Sequence, residues 1–266
     1  MTSTTRPRPP TVLVVAGSDP TAGAGLQADL KTITCLGGYA LTAVTAITVQ
    51  DTRRVDQVHP LPAWQVAQQM RVCLADLPVD CIKLGMLATA DIVLAVTGVL
   101  HEWPHIPVVA DPVLAGTGGG TLLDAGGRDS LLQHLLPRVA LLTPNLPEAQ
   151  ALSGLTVQSL PEMEQAARHL AGQTRTAILV TGGHLPGEEL VDLLWHAQQV
   201  RHFHSRRRPG PGFHGTGCTL ASAIAVGLAL GNPLEEAVQA GLTHVRRAME
   251  NSLALGRGQR LLHHCP

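Results

Sequence analysis

One cysteine in this sequence stands where a thiol could take part in chemistry. Cys218 lies between a glycine-rich turn and a predicted helix in the stretch GFHGTGCTLASAIA, residues 212–225. The free N–H groups in the first turn of a helix attract anions together with the helix dipole, and the same field lowers the pKa of a thiol. The stretch therefore predicts a phosphate-binding turn or an activated thiolate. A packed small side chain and an acyl-transfer nucleophile remain as alternatives.

Three further side chains that could do chemistry follow predicted strands. Asp111 ends one strand, where a carboxylate is better placed for Mg²⁺ or catalysis than for stability. Glu148 either completes a helix cap with Asn145 or binds Mg²⁺ at the same edge of the sheet, and its spacing favours the cap. Gln50 offers both a donor and an acceptor, which suits a heterocycle. A loop amide bonded to its own backbone is the more ordinary interpretation of Gln50.

A glycine-rich turn follows the first predicted strand in the stretch GSDPTAGAGLQADLK, residues 17–31. Its glycines allow tight turns and a close approach of the backbone to a ligand. It is neither a Walker A loop nor a dinucleotide fingerprint, because the spacing of both motifs fails. Its polar residues favour a small polar ligand over a purely structural turn; they are Asp19, Gln27, Asp29 and Lys31.

The elements that must position these residues alternate along the chain. Nearly continuous apolar runs predict strands of a parallel sheet covered on both faces, at 12–17, 40–47, 80–85, 107–112, 139–144 and 176–183. Amphipathic stretches predict helices at 24–36, 63–75, 90–102, 124–136, 147–153 and 160–172, with start signals at Thr89, Ser159 and Asn232. Two strand-like runs at 188–205 suggest an antiparallel extension, and helices follow at 215–230 and 233–251.

This pattern predicts one doubly wound α/β domain over residues 11–252, with ligands at the carboxyl ends of its strands. We expect a disordered tail at 1–10 and a loose tail at 253–266. The last two helices are rich in Ala and Gly and would pack either internally or across a homodimer.

The composition excludes several classes of protein. Aromatic residues make up 2% of the 266 residues and the net charge is −1, which argues against nucleic-acid binding. Five dispersed cysteines with no C-x-x-C pair support neither a zinc site nor a redox motif, and free thiols suggest a reducing compartment. No secretory signal and no membrane-length apolar stretch is found. We therefore expect a cytoplasmic protein that binds neither membranes nor nucleic acid.

Taken together, the motifs resemble the hydroxymethylpyrimidine/phosphomethylpyrimidine kinases of thiamin biosynthesis. The matching segments occur in order over nearly the whole chain: GSDPTAGAGLQADLK, TAITVQDT, KLGML, ADPV, TPNLPEA, GGH and HGTGCTLASAIA. The resemblance implies a ribokinase-like, three-layer αβα fold with a mostly parallel sheet. It also implies phosphorylation of 4-amino-5-hydroxymethyl-2-methylpyrimidine, and then of its monophosphate, with ATP and Mg²⁺.

The resemblance implies a role for each matching position. The implied substrate-binding residues are Gly17, Asp29, Gln50, Met86 and Val113. The implied general base is Cys218, and the implied anion hole is formed by Gly215, Thr216 and Gly217. The implied nucleotide-binding residues are Asn145, Thr181, Gly183 and His214, and the implied ligands of Mg²⁺ are Asp111 and Glu148.

The sequence departs from the family pattern at three places. Lysines usual in the family are replaced by Gly116 and Thr181, and the run before HGTGC is PGPGF, residues 209–213. Arg206–Arg208 either replaces the missing cations or forms a solvated loop, and the second interpretation is favoured. Three other functions stay open. They are a pyridoxal kinase of the same fold, a pyrimidine-binding protein with weakened catalysis, and, least favoured, a cysteine hydrolase for which no partner carboxylate is identifiable.

Overall fold

A nine-stranded sheet runs through the centre of the protein in a computed structural model that describes residues 8–116, 119–208 and 212–266. Its strands, in chain order, are β1 (Thr11–Ser18), β2 (Tyr39–Gln50), β3 (Val55–Pro60), β4 (Cys81–Leu84), β5 (Val108–Ala110), β6 (Leu141–Leu142), β7 (Ala177–Val180), β8 (Glu189–His196) and β9 (Gln199–Arg206). The order across the sheet is β3-β2-β1-β4-β5-β6-β7-β8-β9. Strands β2, β1, β4, β5, β6 and β7 are parallel, whereas β3, β8 and β9 pair antiparallel.

Helices cover both faces of this sheet, which explains why its central strands are apolar throughout. The helices are α1 (Gly25–Cys35), α2 (Ala63–Asp76), α3 (Ala90–Glu102), α4 (Ala125–Ser130), α5 (Leu146–Ser153), α6 (Leu160–Thr174), α7 (Thr216–Ala229) and α8 (Leu234–Glu250). Apolar residues of α2, α3, α5 and α6 form one core with the sheet, and those of α1, α7 and α8 form another on the opposite face. The predicted three-layer α/β architecture is therefore confirmed.

Two of the three predicted helix-start signals are confirmed as capping residues. Thr89 accepts a hydrogen bond from the Ile92 N–H, as predicted, and Ser159 accepts one from the Glu162 N–H. The prediction that Asn232 starts the last helix is wrong, because Pro233 directly precedes α8 and no side chain caps it. The antiparallel extension is confirmed as the β8–β9 hairpin. The edge strand β3 was not predicted, since VDQVHP has neither an apolar run nor strict alternation.

The described residues at both ends of the chain contact the rest of the domain. Of the tail expected at 1–10, residues 1–7 lie outside the described residues, and Arg8 forms a two-pronged ion pair with Asp80, at 2.7 and 2.9 Å. The prediction of a loose tail at 253–266 is wrong, because β11 (Arg260–Leu261) pairs with β10 (Phe213–His214) just before α7. Leu262 and His264 of this tail are buried, so the tail packs onto the domain.

Helices α7 and α8 pack closely against each other. Of the two roles expected for their small residues, internal packing or packing across a homodimer, this contact supports internal packing. A Cβ added at Gly227 would lie 2.8 Å from the Ala237 Cβ, and one at Gly241 would lie 2.8 Å from Ile224 Cγ1. The small residues therefore serve internal packing. None of the helices that the structure describes has the length and apolar character needed to cross a membrane.

Acidification should destabilise the packed tail through His264. Burial, with help from the positive charge of Lys31 and from His244 and His263, lowers the pKa of His264 to about 4. The folded-state pKa of His264 thus lies below its unfolded value of about 6.5, so the unfolded chain takes up a proton before the folded chain does as the pH falls. The contribution of the neutral His264 to the free energy of unfolding is complete above pH 6.5 and is lost as the pH falls toward 4. We expect the free energy of unfolding to fall by about 2 kcal/mol, after allowing for partial solvent screening.

Thermal unfolding at pH 7.5 and pH 5 checks this expectation. His264→Gln should show a smaller fall in Tm between the two pH values than the wild type. His105→Gln, at an exposed position between α3 and β5 that is not among the groups acting on His264, should keep the wild-type difference. An unchanged pH dependence in His264→Gln would contradict the assignment.

Candidate active site

A cavity of about 310 Å³ opens at the carboxyl ends of β1, β4 and β5. The chain runs from β1 to β2 on one side of β1, whereas β4 and then β5 follow on its other side, so the strand order reverses between β1 and β4. A crevice at such a switch point is where open α/β sheets bind ligands. Four of the five predicted substrate-binding residues line this cavity, together with the whole turn at the start of α7: Gly17, Gln50, Met86, Val113, Gly215, Thr216, Gly217 and Cys218.

Asp29 is the predicted substrate-binding residue that does not line the cavity. It lies on α1 with no exposed surface, and both of its carboxylate oxygens accept from the Lys83 ammonium at 2.8 Å. Ser222 of α7 donates a third hydrogen bond to Asp29 at 2.7 Å. The substrate-binding assignment of Asp29 is therefore wrong. The carboxylate is used to hold a buried lysine beneath the site.

Lys83 itself was missed by sequence reasoning, because a lysine inside the apolar run CIKL gives no indication of its partner 54 residues away. Burial opposes the charge of this ammonium, but the carboxylates of Asp29 and Asp111 outweigh it and raise the pKa of Lys83. Lys83 thus places a permanent positive charge under the cavity.

The loop after β1 is tied to the turn before α7. Asp19 is buried and accepts hydrogen bonds from the N–H groups of Thr21, Gly23 and Ala24. Its other neighbour is His214, whose Nε2 lies 3.0 Å from Asp19 Oδ2. Burial opposes the charge of Asp19, yet these partners lower its pKa overall. His214 lines this cavity rather than the second one described below, so the structure places it as a link between two loops and not at the nucleotide.

The turn before α7 requires glycine for steric reasons. Gly215 has φ +81°, and a Cβ there would collide with the carbonyl oxygen of Gly23. A Cβ at Gly217 would lie 3.3 Å from the carboxylate of Asp111. No side chain caps α7, so the first N–H groups of this helix face the cavity without a capping acceptor. The arrangement fits the predicted anion-binding turn.

Cys218 is not the activated thiolate that the sequence suggested. Burial among protein atoms raises the pKa of its thiol, and the carboxylates of Asp111 and Asp29 add to the effect. Lys83 and an N–H group of Gly25 act in the opposite direction but do not reverse it. The thiol hydrogen-bonds to Asp111, which favours the ionised carboxylate. The prediction of a depressed thiol pKa is therefore wrong, because burial, together with the charges of Asp111 and Asp29, outweighs the groups that favour the thiolate.

A second cavity of about 220 Å³ adjoins the first. The two cavities share six lining residues: Asp111, Asn145, Glu148, His184, Thr216 and Gly217. Thr181 and Gly183, both predicted to bind a nucleotide, line the second cavity alone. Its far end is apolar and is formed by Leu190, Leu220, Leu242, Val245 and Met249. The combination of a polar junction and an apolar end suits a nucleotide with its phosphates at the junction.

Asp111 and Glu148 are the buried carboxylates of this junction. Burial raises the pKa of Asp111 to about 6. Burial and the neighbouring Asp111 charge raise the pKa of Glu148 to about 8. Glu148 also forms the predicted capping box with Asn145, at 2.9 and 3.0 Å. The cap interpretation of Glu148 is confirmed, and the Mg²⁺ interpretation stays a prediction that is compatible with it, because the residue also lines both cavities.

Neither position that lacks the family lysine is compensated by the Arg206–Arg208 run. Gly116 is packed against Val55, and residues 117–118 and 209–211 lie outside the described residues. The Arg207 guanidinium donates to the carbonyl oxygens of Gly183, Leu185 and Gly187. Arg208 pairs with Glu250.

His184 and Gln259 are among the residues lining the first cavity that sequence reasoning missed. His184 lines both cavities, and burial lowers its pKa. Its GGH segment was recognised, but nothing in the spacing pointed to the histidine. Gln259 reaches the first cavity from the C-terminal tail, which the sequence predicted to be loose.

Comparisons with known proteins agree with this geometry. A family model described as phosphomethylpyrimidine kinase matches residues 19–263. The thiamine biosynthesis bifunctional protein ThiED of Geobacter sulfurreducens is 42% identical over 95% of the chain, which spans only 52% of that relative. The hydroxymethylpyrimidine/phosphomethylpyrimidine kinase of Bacillus subtilis is 37% identical, covering 92% of this chain and 91% of that protein. The ADP complex of Bacillus subtilis pyridoxal kinase superimposes with a TM-score of 0.89 at 31% identity, covering 96% and 97% of the two chains.

Breaking the Lys83–Asp29 pair should destabilise the protein strongly. Lys83→Met leaves Asp29 as a buried, uncompensated carboxylate and should lower the free energy of unfolding by about 3–5 kcal/mol. The double variant Lys83→Met/Asp29→Leu removes both charges and should recover much of that loss. Urea unfolding of Lys83→Met, Asp29→Leu and the double variant, each compared with the wild type, gives the three free-energy differences of this double-mutant cycle.

The exposed ion pair of Arg71 and Glu102 supplies the control. Arg71→Met should change the free energy of unfolding little, because surface ion pairs are screened by solvent. If Lys83→Met were as mild as Arg71→Met, the buried pair would not have the structural role assigned to it.

Proposed function

The chain belongs to the phosphomethylpyrimidine kinase family and has the ribokinase-like fold of its structural neighbours, and from this premise we propose its activity. It transfers the γ-phosphoryl group of ATP to 4-amino-5-hydroxymethyl-2-methylpyrimidine, and then a second phosphoryl group to the monophosphate, to give the diphosphate used in thiamin synthesis. The names of the relatives support this substrate class.

The observation that carries the proposal is the junction of the two cavities. A kinase must bring two substrates together with the transferred group between them and water kept away. The six shared residues form such a junction, with the start of α7 on one wall and the carboxylates of Asp111 and Glu148 on another. We assign the first cavity to the pyrimidine and the second to ATP.

The first cavity has the side chains that an aminopyrimidine needs. Gln50 can donate to a ring nitrogen and accept from the exocyclic amino group. Met86 and Val113 provide apolar surface for the ring and its methyl group. Gly17 keeps one wall open, since a Cβ there would lie 3.1 Å from Met86 Sδ.

The junction also fits Mg²⁺, which prefers one or two carboxylates together with phosphate oxygens. Asp111 and Glu148 have raised pKa values in the absence of a cation, so a bound cation would favour their ionised forms. They are the residues that would hold the metal, and Mg²⁺ would supply neutralisation of phosphate charge. The N–H groups at the start of α7 would stabilise the transferred group in the same way.

We assign the proton of the substrate hydroxyl to a relay. Phosphoryl transfer needs only a modest base, because the transition state is loose. As the hydroxyl oxygen bonds to phosphorus and the bond from phosphorus to the ADP oxygen breaks, the hydroxyl proton passes to Cys218 Sγ while the thiol proton passes to the hydrogen-bonded Asp111. In this step Glu148 alone would hold the metal, because a carboxylate bound to Mg²⁺ is a poor proton acceptor. The relay avoids a free thiolate, which the raised pKa of Cys218 disfavours.

Two further expectations stay predictions. All five cysteines are free, which supports a reducing compartment such as the cytoplasm. A homodimer has no support from α7 and α8, because these helices pack on each other.

Pyridoxal phosphorylation is a second candidate, favoured by the close superposition on a pyridoxal kinase. A coupled ADP-release assay with the pyrimidine alcohol, its monophosphate and pyridoxal separates the two activities. We expect kcat/KM for the pyrimidine alcohol to exceed that for pyridoxal by about tenfold or more, since one well-placed hydrogen-bonding pair can discriminate to that extent. Gln50→Leu should remove most of this preference.

Two outcomes would decide against the pyrimidine kinase. A higher kcat/KM for pyridoxal would reverse the assignment. Binding of the pyrimidine without ADP release would indicate the weakened, binding-only protein. Gln57→Leu, on the exposed edge strand β3, serves as a control and should behave as the wild type.

Cys218→Ala should lower kcat by about 100-fold or more, the range of a general base, while the KM for ATP changes little. Cys73→Ala, on α2 and away from both cavities, is the matched control and should keep full activity. Steady-state kinetics with each variant gives the comparison, and circular dichroism establishes that both fold. Wild-type kcat in Cys218→Ala would remove Cys218 from the proton path.

A further inference from the structure

Arg246 lines the second cavity, and the reaction proposed above gives it no role. It belongs to α8, on the same helix face as Leu242, Val245 and Met249, and all four residues line that cavity. The three apolar side chains form the wall assigned to the nucleoside. The guanidinium therefore lies beside the site where a nucleotide would bind.

The guanidinium of Arg246 is incompletely paired. Its Nη2 is buried and has no hydrogen-bond partner within the described part of the chain. Asp192 Oδ2 faces this nitrogen at 4.0 Å, which is beyond hydrogen-bond reach. The other oxygen of Asp192 already accepts from the Gly182 N–H at 3.0 Å. Asp192 thus lies on the enclosed side of the guanidinium, while the Arg246 side chain as a whole keeps 31% of its surface exposed.

The other cations near the junction are committed elsewhere. Lys83 is held by Asp29, Arg207 by three backbone carbonyls and Arg208 by Glu250. Among the described residues lining the second cavity, Arg246 is the one lysine or arginine. Three carboxylates line the same cavity, those of Asp111, Glu148 and Asp192. A polyphosphate placed among them needs a cationic side chain as well as Mg²⁺.

We propose that Arg246 binds the phosphate chain of the nucleotide through the part of its guanidinium that is exposed to the second cavity, with Asp192 on the enclosed side as the residue that positions it. The proposal rests on the assignment of the second cavity to ATP. An arginine presents five N–H donors in a planar fork, so a guanidinium with one nitrogen turned to Asp192 still has donors for a charge-assisted hydrogen bond to a phosphate oxygen.

Calorimetric titration of the full chain with ADP and with adenosine tests the proposal. Arg246→Ala and Arg246→Gln should each weaken ADP binding about tenfold, the size expected for loss of a charge-assisted hydrogen bond. Adenosine, which has no phosphate, should bind both variants as it binds the wild type. Arg247→Ala, the exposed neighbour on the same helix, is the matched control and should bind ADP normally.

Two results would overturn the proposal. Unchanged ADP affinity with a lowered Tm would make Arg246 a structural partner of Asp192, and an equal loss for ADP and adenosine would place it at the nucleoside. The outcome is separable from the proposed function. A wild type that binds ADP but does not phosphorylate the pyrimidine would refute the activity and leave the role of Arg246 measurable.

Discussion

The ion pair between Lys83 and Asp29 is the interaction on which the site depends. It joins a central strand, β4, to α1, and Ser222 brings in α7, so three elements meet at one buried charge pair. Burying two charges is tolerated only when their geometry is good and their remaining hydrogen bonds are satisfied. The pair therefore fixes how the glycine-rich loop, the strand ends and the start of α7 approach one another.

The same pair sets the electrostatics above it. The positive charge of Lys83 acts against burial at Asp111 and Cys218, whereas the negative charge of Asp29 acts with burial. Asp111 consequently ionises near pH 6 and Cys218 stays a thiol. A buried carboxylate that is hydrogen-bonded to a neutral thiol can take up a proton during transfer, while Glu148 remains available to a cation. Burial, with the local carboxylates, decides the protonation state of the cysteine.

The sequence predicted the architecture and most strand-end residues, because strand periodicity, glycine-rich turns and helix caps are local patterns. It failed where the cause is distant along the chain. Asp29 sits in a motif that looks like a ligand loop, but its partner Lys83 is 54 residues away. The order of the C-terminal tail depends on the pairing of Arg260 and Leu261 with residues just before α7, and no local pattern predicts such a contact. The predicted direction of the Cys218 pKa shift was wrong for the same reason, because burial and the neighbouring carboxylates reach the thiol only when the chain folds.

The central claim is that phosphoryl transfer takes place at the start of α7, between two cavities that share one wall. A crystal structure with ADP, Mg²⁺, aluminium fluoride and the pyrimidine alcohol tests it most directly. The account predicts the fluoride group against the N–H groups of residues 215–218, with the alcohol oxygen facing Cys218 and ADP in the second cavity. A fluoride group bound away from this turn, or ADP in the first cavity, would contradict it.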